Sequence, residues 1–328
     1  MMQTIACASP WIPPEWIAAH GMEPSYVRLR AADAGGLAAN SRGVCPYAGA
    51  MADAALAGMD ASALVVTTAC DQMRYAAVFV DSRGCLPVFL MNVPSTWQAP
   101  AARQIYRDEL KRLGRFLERL GGKAPSRQGL AQTMLAYDKA RAALRRAQPL
   151  LSGRPLAEAV AGLRGSLTAI SSPKKVPRQA AGIPLAVVGG PLPAEDYGLF
   201  DLVEQAGGRV VLDGTEGGER TLPAPFDHRR VAQDPLEELT DAYFLRMPDV
   251  FRRPNDGLYD WLGRHLAARN VRGILFRRYV WCDLWHGELH RLKAWSPVPV
   301  LEIDVGHDDR IAAGRTLARI EAFLEMLR

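Results

Sequence analysis

The chain has 328 residues, 48% of them hydrophobic, and a formal net charge of +5. It is long enough for two cored domains, and no run of about twenty apolar residues marks a membrane span. Its start, MMQTIACASPWIPPE, lacks the charged segment and apolar core of a secretory leader, so a cytoplasmic protein is expected. The basic balance is mild and no basic run carries interleaved aromatics, which gives no nucleic-acid signature. Five irregularly spaced cysteines argue against a disulfide scaffold and fit a reducing compartment.

Taken in order, Pro13 and Glu15 open a short helix ending at Gly21, and Tyr26–Leu29 reads as an edge strand. A first α/β unit follows: helix Tyr47–Gly58, strand Ala63–Thr68, a helical stretch after Cys70 and strand Leu86–Met91. Such alternation builds a parallel sheet. Residues 100–180 read as polar helices. In the first, Ile105, Leu110, Leu113, Leu117 and Leu120 mark an apolar stripe stopped by Gly121–Gly122. Arg103, Arg107, Lys111, Arg115 and Arg119 recur every four residues as a basic ridge, which is either a solvated face or a dock for an acidic partner. A second helix covers Gln132–Arg146, and Ser171–Pro177 reads as a linker.

The alternation then restarts. Strand Ile183–Val188, helix Glu195–Ala206, strand Arg209–Asp213, a glycine-rich loop Gly214–Gly218 and helical Pro235–Leu245 come first. Helix Asp256–Ala267, strands Gly273–Phe276 and Val298–Asp304, and a long terminal helix complete it. The fold class expected is α/β: two doubly wound, Rossmann-like parallel-sheet domains joined by a helical region. The first domain spans residues 1–180, with its helical part at about 100–180, and the second spans 181–328. Gly189–Gly190 is followed by neither GxGxxG nor a Walker pattern and reads as a tight βα turn. Asp304, His307, Asp308 and Asp309 read as a helix cap and solvated turn rather than a metal site.

Three cysteines stand out from this frame. Cys70 and Cys282 each follow an apolar strand run and precede an aspartate, while Cys45 precedes Pro46 and an Ala-rich helical pattern. Two thiols past strand ends and one at a helix N-terminus lie where open α/β sheets bind ligands. No CxxC pair occurs, which excludes the common zinc and thioredoxin-type motifs. Three distant thiols can hold one soft metal centre, or they can be buried and inert. Cys7 and Cys85 read as structural. Arg74, one helical turn after Cys70, and His286, four residues after Cys282, are candidate site residues, the histidine as a proton donor.

The segments around the three cysteines carry a family likeness. VCPYA, TTACDQMR and VWCDL, in that order, together with IPPEWIAAHGMEP, PVFLMNVPSTW and GRTLARIEAFLEML, resemble the 2-hydroxyacyl-CoA dehydratase/benzoyl-CoA reductase iron–sulfur subunits. The resemblance implies that Cys45, Cys70 and Cys282 ligate one [4Fe-4S] cluster with an iron left open. It implies a CoA-thioester substrate, one-electron ketyl radical chemistry under anaerobic conditions, and a separate ATP-dependent iron–sulfur activator feeding electrons. The companion subunit is either a second copy or a homologue, and the basic ridge gains CoA phosphates as a further candidate partner. The expected activity is water elimination from a 2-hydroxyacyl-CoA. The alternatives are a benzoyl-CoA-type reductase subunit, a double-cubane-type reductase of small molecules, and a non-catalytic electron carrier or assembly partner. A double-cubane centre needs about twice the thiolates found in family positions here. The chain is shorter than most members of the family and its loops look trimmed, which leaves the acyl group open.

Overall fold

The computed structural model describes residues 3–27, 29, 43–167, 181–306 and 313–328. Strands β1 (Thr4–Cys7), β2 (Glu23–Tyr26), β3 (Ala63–Thr67) and β4 (Val88–Met91) form one parallel sheet in the order β2-β1-β3-β4. Helices α1 (Pro14–Ala19), α2 (Pro46–Leu56) and α3 (Asp71–Ser82) supply its crossovers. β3 is the sheet's central apolar strand: ALVVT is buried at every residue, as a strand covered on both faces must be. The edge strand is Glu23–Tyr26, not the expected Tyr26–Leu29, and β1 was not legible as a strand.

Helices α4 (Pro100–Arg119), α5 (Arg127–Ala147) and α6 (Gly153–Gly162) follow. The apolar stripe of α4 runs through Ala102, Tyr106, Leu110, Leu113 and Leu117, all buried, whereas Ile105 is exposed. Tyr106 is drawn inward because its hydroxyl donates to the Trp11 carbonyl at 2.6 Å. The expected linker at Ser171–Pro177 lies outside the described residues.

The second sheet repeats the first. Strands β5 (Ile183–Gly189), β6 (Gly208–Gly214), β7 (Gly273–Tyr279) and β8 (Val300–Val305) run parallel in the order β6-β5-β7-β8. Around them lie α7 (Gly198–Gln205), α8 (His228–Gln233), α9 (Pro235–Thr240), α10 (Asp256–Ala268), α11 (Asp283–Trp295) and α12 (Ala313–Leu327). Each sheet changes direction of growth between its first and third strands, so each has one switch point facing a crevice. The Gly189 turn is a matter of space: a Cβ there would sit 1.8 Å from the Arg277 carbonyl oxygen of β7. No described helix is long and apolar enough to cross a membrane.

The halves are stitched together. Phe226, Val231, Leu239, Tyr243, Phe244 and Met247, all from the second half of the sequence, pack in one core with Ile5, Trp16, Tyr106 and Leu110 of the first. This explains the basic ridge. Arg103 pairs with Asp241 at 2.6 Å and with Glu237, and Arg107 pairs with Glu237 at 2.6 Å. The ridge's first two arginines therefore dock an acidic segment of the same chain, while Arg115 and Arg119 remain exposed.

Candidate functional site

All three cysteines occupy helix N-caps. Cys45 caps α2, Cys70 caps α3 and Cys282 caps α11. α11 is absent from the sequence reading, so the third thiol was expected only beyond a strand. It lies past the strand and at the helix start: Val280 and Trp281 alone separate β7 from Cys282, and Trp281 turns the chain with a left-handed φ of 66°. The connections are fixed by local hydrogen bonds. The Gln72 amide accepts from the Cys45 N–H at 3.0 Å and donates to the Gly43 carbonyl at 3.2 Å, tying the Cys45 turn to the first turn of α3.

The three thiols line one cavity, which holds about 670 Å³ of empty space including the part open to solvent. It sits between the halves. Trp11, Tyr47 and Met73 contribute from the first, and Phe251, Tyr279 and Trp285 from the second. The Tyr47 and Tyr279 rings meet across the seam with centroids 6.1 Å apart. All five cysteines are free thiols.

Desolvation dominates the thiol chemistry. Burial pushes the Cys70 thiol up to about 11 and the Cys282 thiol up to about 12, and raises Cys45 as well. Free amides of the following helix pull the other way: those of Tyr47 and Ala48 on Cys45, of Gln72 and Met73 on Cys70, and of Trp285 on Cys282. None of these contacts is a formed capping hydrogen bond, so the amides are available to a sulfur that becomes anionic. The thiols also raise one another's pKa, Cys45 acting on Cys70 and both acting on Cys282, which marks them as neighbours.

Among the described residues, no three His, Cys, Asp or Glu side chains close on a single ion position. Thiols spread around a cavity suit a polynuclear centre, where each sulfur meets a different iron. Three thiols on one cavity are a donor set of the kind that iron–sulfur clusters take. Cys7 stands apart, buried in the first core with its thiol pushed up to about 12 by desolvation. Cys85 is exposed between α3 and β4.

The two other candidates lie elsewhere. Arg74 is exposed and pairs with Asp71 at 3.2 Å. The His286 Nδ1 accepts from Arg278, whose guanidinium also pairs with Asp304 at 2.6 Å. Neither residue lines the cavity. Asp304 is thus part of an ion pair, and His307, Asp308 and Asp309 fall outside the described residues.

Two carboxyl groups that sequence reasoning did not single out line the cavity, Glu216 and Asp249. Asp249 is committed to Arg220 and to the Phe251 amide at 2.8 Å. Glu216 is half-buried on the glycine-rich loop after β6. Burial first, then Asp249, pushes its carboxyl up to about 7 against the pull of Arg220 and Arg164. The run GTEGG was the available signal, but nothing in it says that the loop meets the cysteines.

Residues 11–327 match the family model for the 2-hydroxyglutaryl-CoA dehydratase D-component. Comparison with curated proteins finds no match.

Proposed function

Since the chain belongs to the 2-hydroxyglutaryl-CoA dehydratase D-component family, we propose that it is the [4Fe-4S] subunit of a 2-hydroxyacyl-CoA dehydratase-type lyase. Cys45, Cys70 and Cys282 are its cluster ligands in this reading. The observation that carries it is that three thiols from three separate β–α connections line one interdomain cavity. Bound there, the cluster would supply a one-electron donor and a Lewis-acidic iron for elimination of the α-hydroxyl. The chain's own residues do the rest. The free amides at the starts of α2, α3 and α11 stabilise the anionic sulfurs. Trp11, Tyr47, Phe251 and Trp285 form walls that keep water from the thioester. Electrons come from a separate ATP-dependent iron–sulfur activator, and a second copy or a homologous subunit completes the enzyme.

The test is anaerobic turnover. With reduced activator and ATP, the cluster-loaded protein and its companion subunit are expected to convert a 2-hydroxyacyl-CoA to the enoyl-CoA. Reduction of the cluster without any change in the thioester would instead make the chain an electron carrier.

A further inference from the structure

We propose that Glu216 is the proton-transfer residue of this site, giving its proton to the departing α-hydroxyl and then taking the β-proton of the same substrate. The inference rests on the dehydratase reading above and names a residue for it.

The position comes first. The Glu216 carboxyl lines the cavity that the three thiols line, and its charge acts on Cys45, Cys70 and Cys282 alike. Of the two carboxyl groups lining that cavity, Asp249 is held by Arg220 and by an amide. The Glu216 carboxyl has no hydrogen bond or ion pair to any described residue. Both arginines that act on it are engaged elsewhere: Arg164 donates to the Gly218 carbonyl at 2.9 Å, and Arg220 donates to the Gly214 carbonyl at 3.0 Å as well as to Asp249.

Hydrogen bonds fix the loop backbone that carries the carboxyl. The Glu216 N–H donates to the Gly190 carbonyl at 3.1 Å, and the Glu216 carbonyl accepts from the Thr221 hydroxyl at 2.8 Å. Asp213 anchors the turn by accepting from the Thr215 N–H at 3.0 Å and from its hydroxyl at 2.6 Å. Gly218 lets the chain close over Asp213, since a Cβ there would lie 2.3 Å from that side chain.

The step balances. The C–O bond at the α carbon breaks, and the leaving oxygen gains the Glu216 proton and departs as water. The β C–H bond then breaks, its proton returns to the carboxylate, and the C=C bond forms. The electron is lent by an iron–sulfur donor and returned, so the net change is loss of water.

The experiment compares Glu216→Gln and Glu216→Asp with wild type in the cluster-loaded enzyme. Turnover in Glu216→Gln is expected to fall by about 100-fold or more. Its KM should stay within about twofold of wild type, with iron content and EPR spectrum unchanged, and Glu216→Asp should recover part of the rate. In the metal-free protein near neutral pH, the infrared band of a protonated carboxyl should be lost in Glu216→Gln. Glu216→Gln turning over within about tenfold of wild type overturns the proposal. So does an altered EPR spectrum, which would make Glu216 an iron ligand. If wild type carries iron yet dehydrates nothing, the dehydratase reading has failed and the proposal falls with it. An active wild type beside an active Glu216→Gln variant defeats the proposal alone.

Discussion

The first sheet delivers two thiols to the cavity, Cys45 after β2 and Cys70 after β3. The second, with the same strand order, delivers Cys282 after β7 and Glu216 after β6. Third strand answers third strand, each followed within a few residues by a cysteine at a helix N-cap and an aspartate at the first helical position. Second strand answers second strand with different chemistry, a soft sulfur on one side and an oxygen acid on the other. Equivalent topology therefore fixes where a side chain enters the crevice, and the residue placed there fixes what it does. The halves also differ in self-sufficiency: the first sheet's core is completed by residues 226–247 of the second half.

The largest effect that would break this comparison is loss of one member of the thiol set. Cys45→Ser, Cys70→Ser and Cys282→Ser should each abolish retained iron and the visible absorption of a cluster. Cys7→Ser and Cys85→Ser should leave both intact, since one thiol is in the core and the other at the surface. A motif cysteine that can be removed without losing iron would undo the assignment.

Next comes pH. The Cys70 and Cys282 thiols titrate near 11 and 12, so in the metal-free protein they are protonated at neutral pH. Each thiolate that binds iron must first give up a proton, so loading weakens by up to about tenfold per thiol for each unit that pH falls. Anaerobic reconstitution followed by absorbance should reach saturation with less iron at pH 8.5 than at pH 6.5. A flat profile would contradict buried, protonated ligands.

The seam between the halves is the third lever. Arg103→Glu puts a third negative charge beside Glu237 and Asp241 and should cost about 2–4 kcal/mol in denaturant unfolding. Arg119→Glu, on the exposed end of the same ridge, should stay within about 0.5 kcal/mol. Equal costs would mean that the intramolecular dock carries no weight. The smallest effect belongs to Gln72→Ala. It removes the link between the Cys45 turn and α3 and should cost about 1 kcal/mol, with faster iron release to a chelator.

Much of this was legible in the sequence because the signal was local. Ala63–Thr67 and Gly273–Phe276 are unbroken apolar runs between turn signals, so two parallel sheets could be read directly. The start of α2 announced itself through Pro46. Other features depend on distant partners. Only three residues separate the end of β7 from the start of α11, whose mixture of aromatic and charged residues gives no clean stripe, so Cys282 was not recognisable as a cap. The ridge looked open because Glu237 and Asp241 lie more than a hundred residues away in sequence. Glu216 becomes notable only when the halves meet, since two of the thiols that share its cavity, Cys45 and Cys70, come from the other half.

The central claim is that three thiols from two sheets hold one cluster. Its most direct measurement is anaerobic iron and acid-labile sulfide analysis with EPR on freshly purified protein. The account predicts about four iron and four sulfide per chain, with a reduced-state EPR signal that disappears on exposure to oxygen. Protein that is fully folded yet binds no iron after anaerobic reconstitution would contradict it.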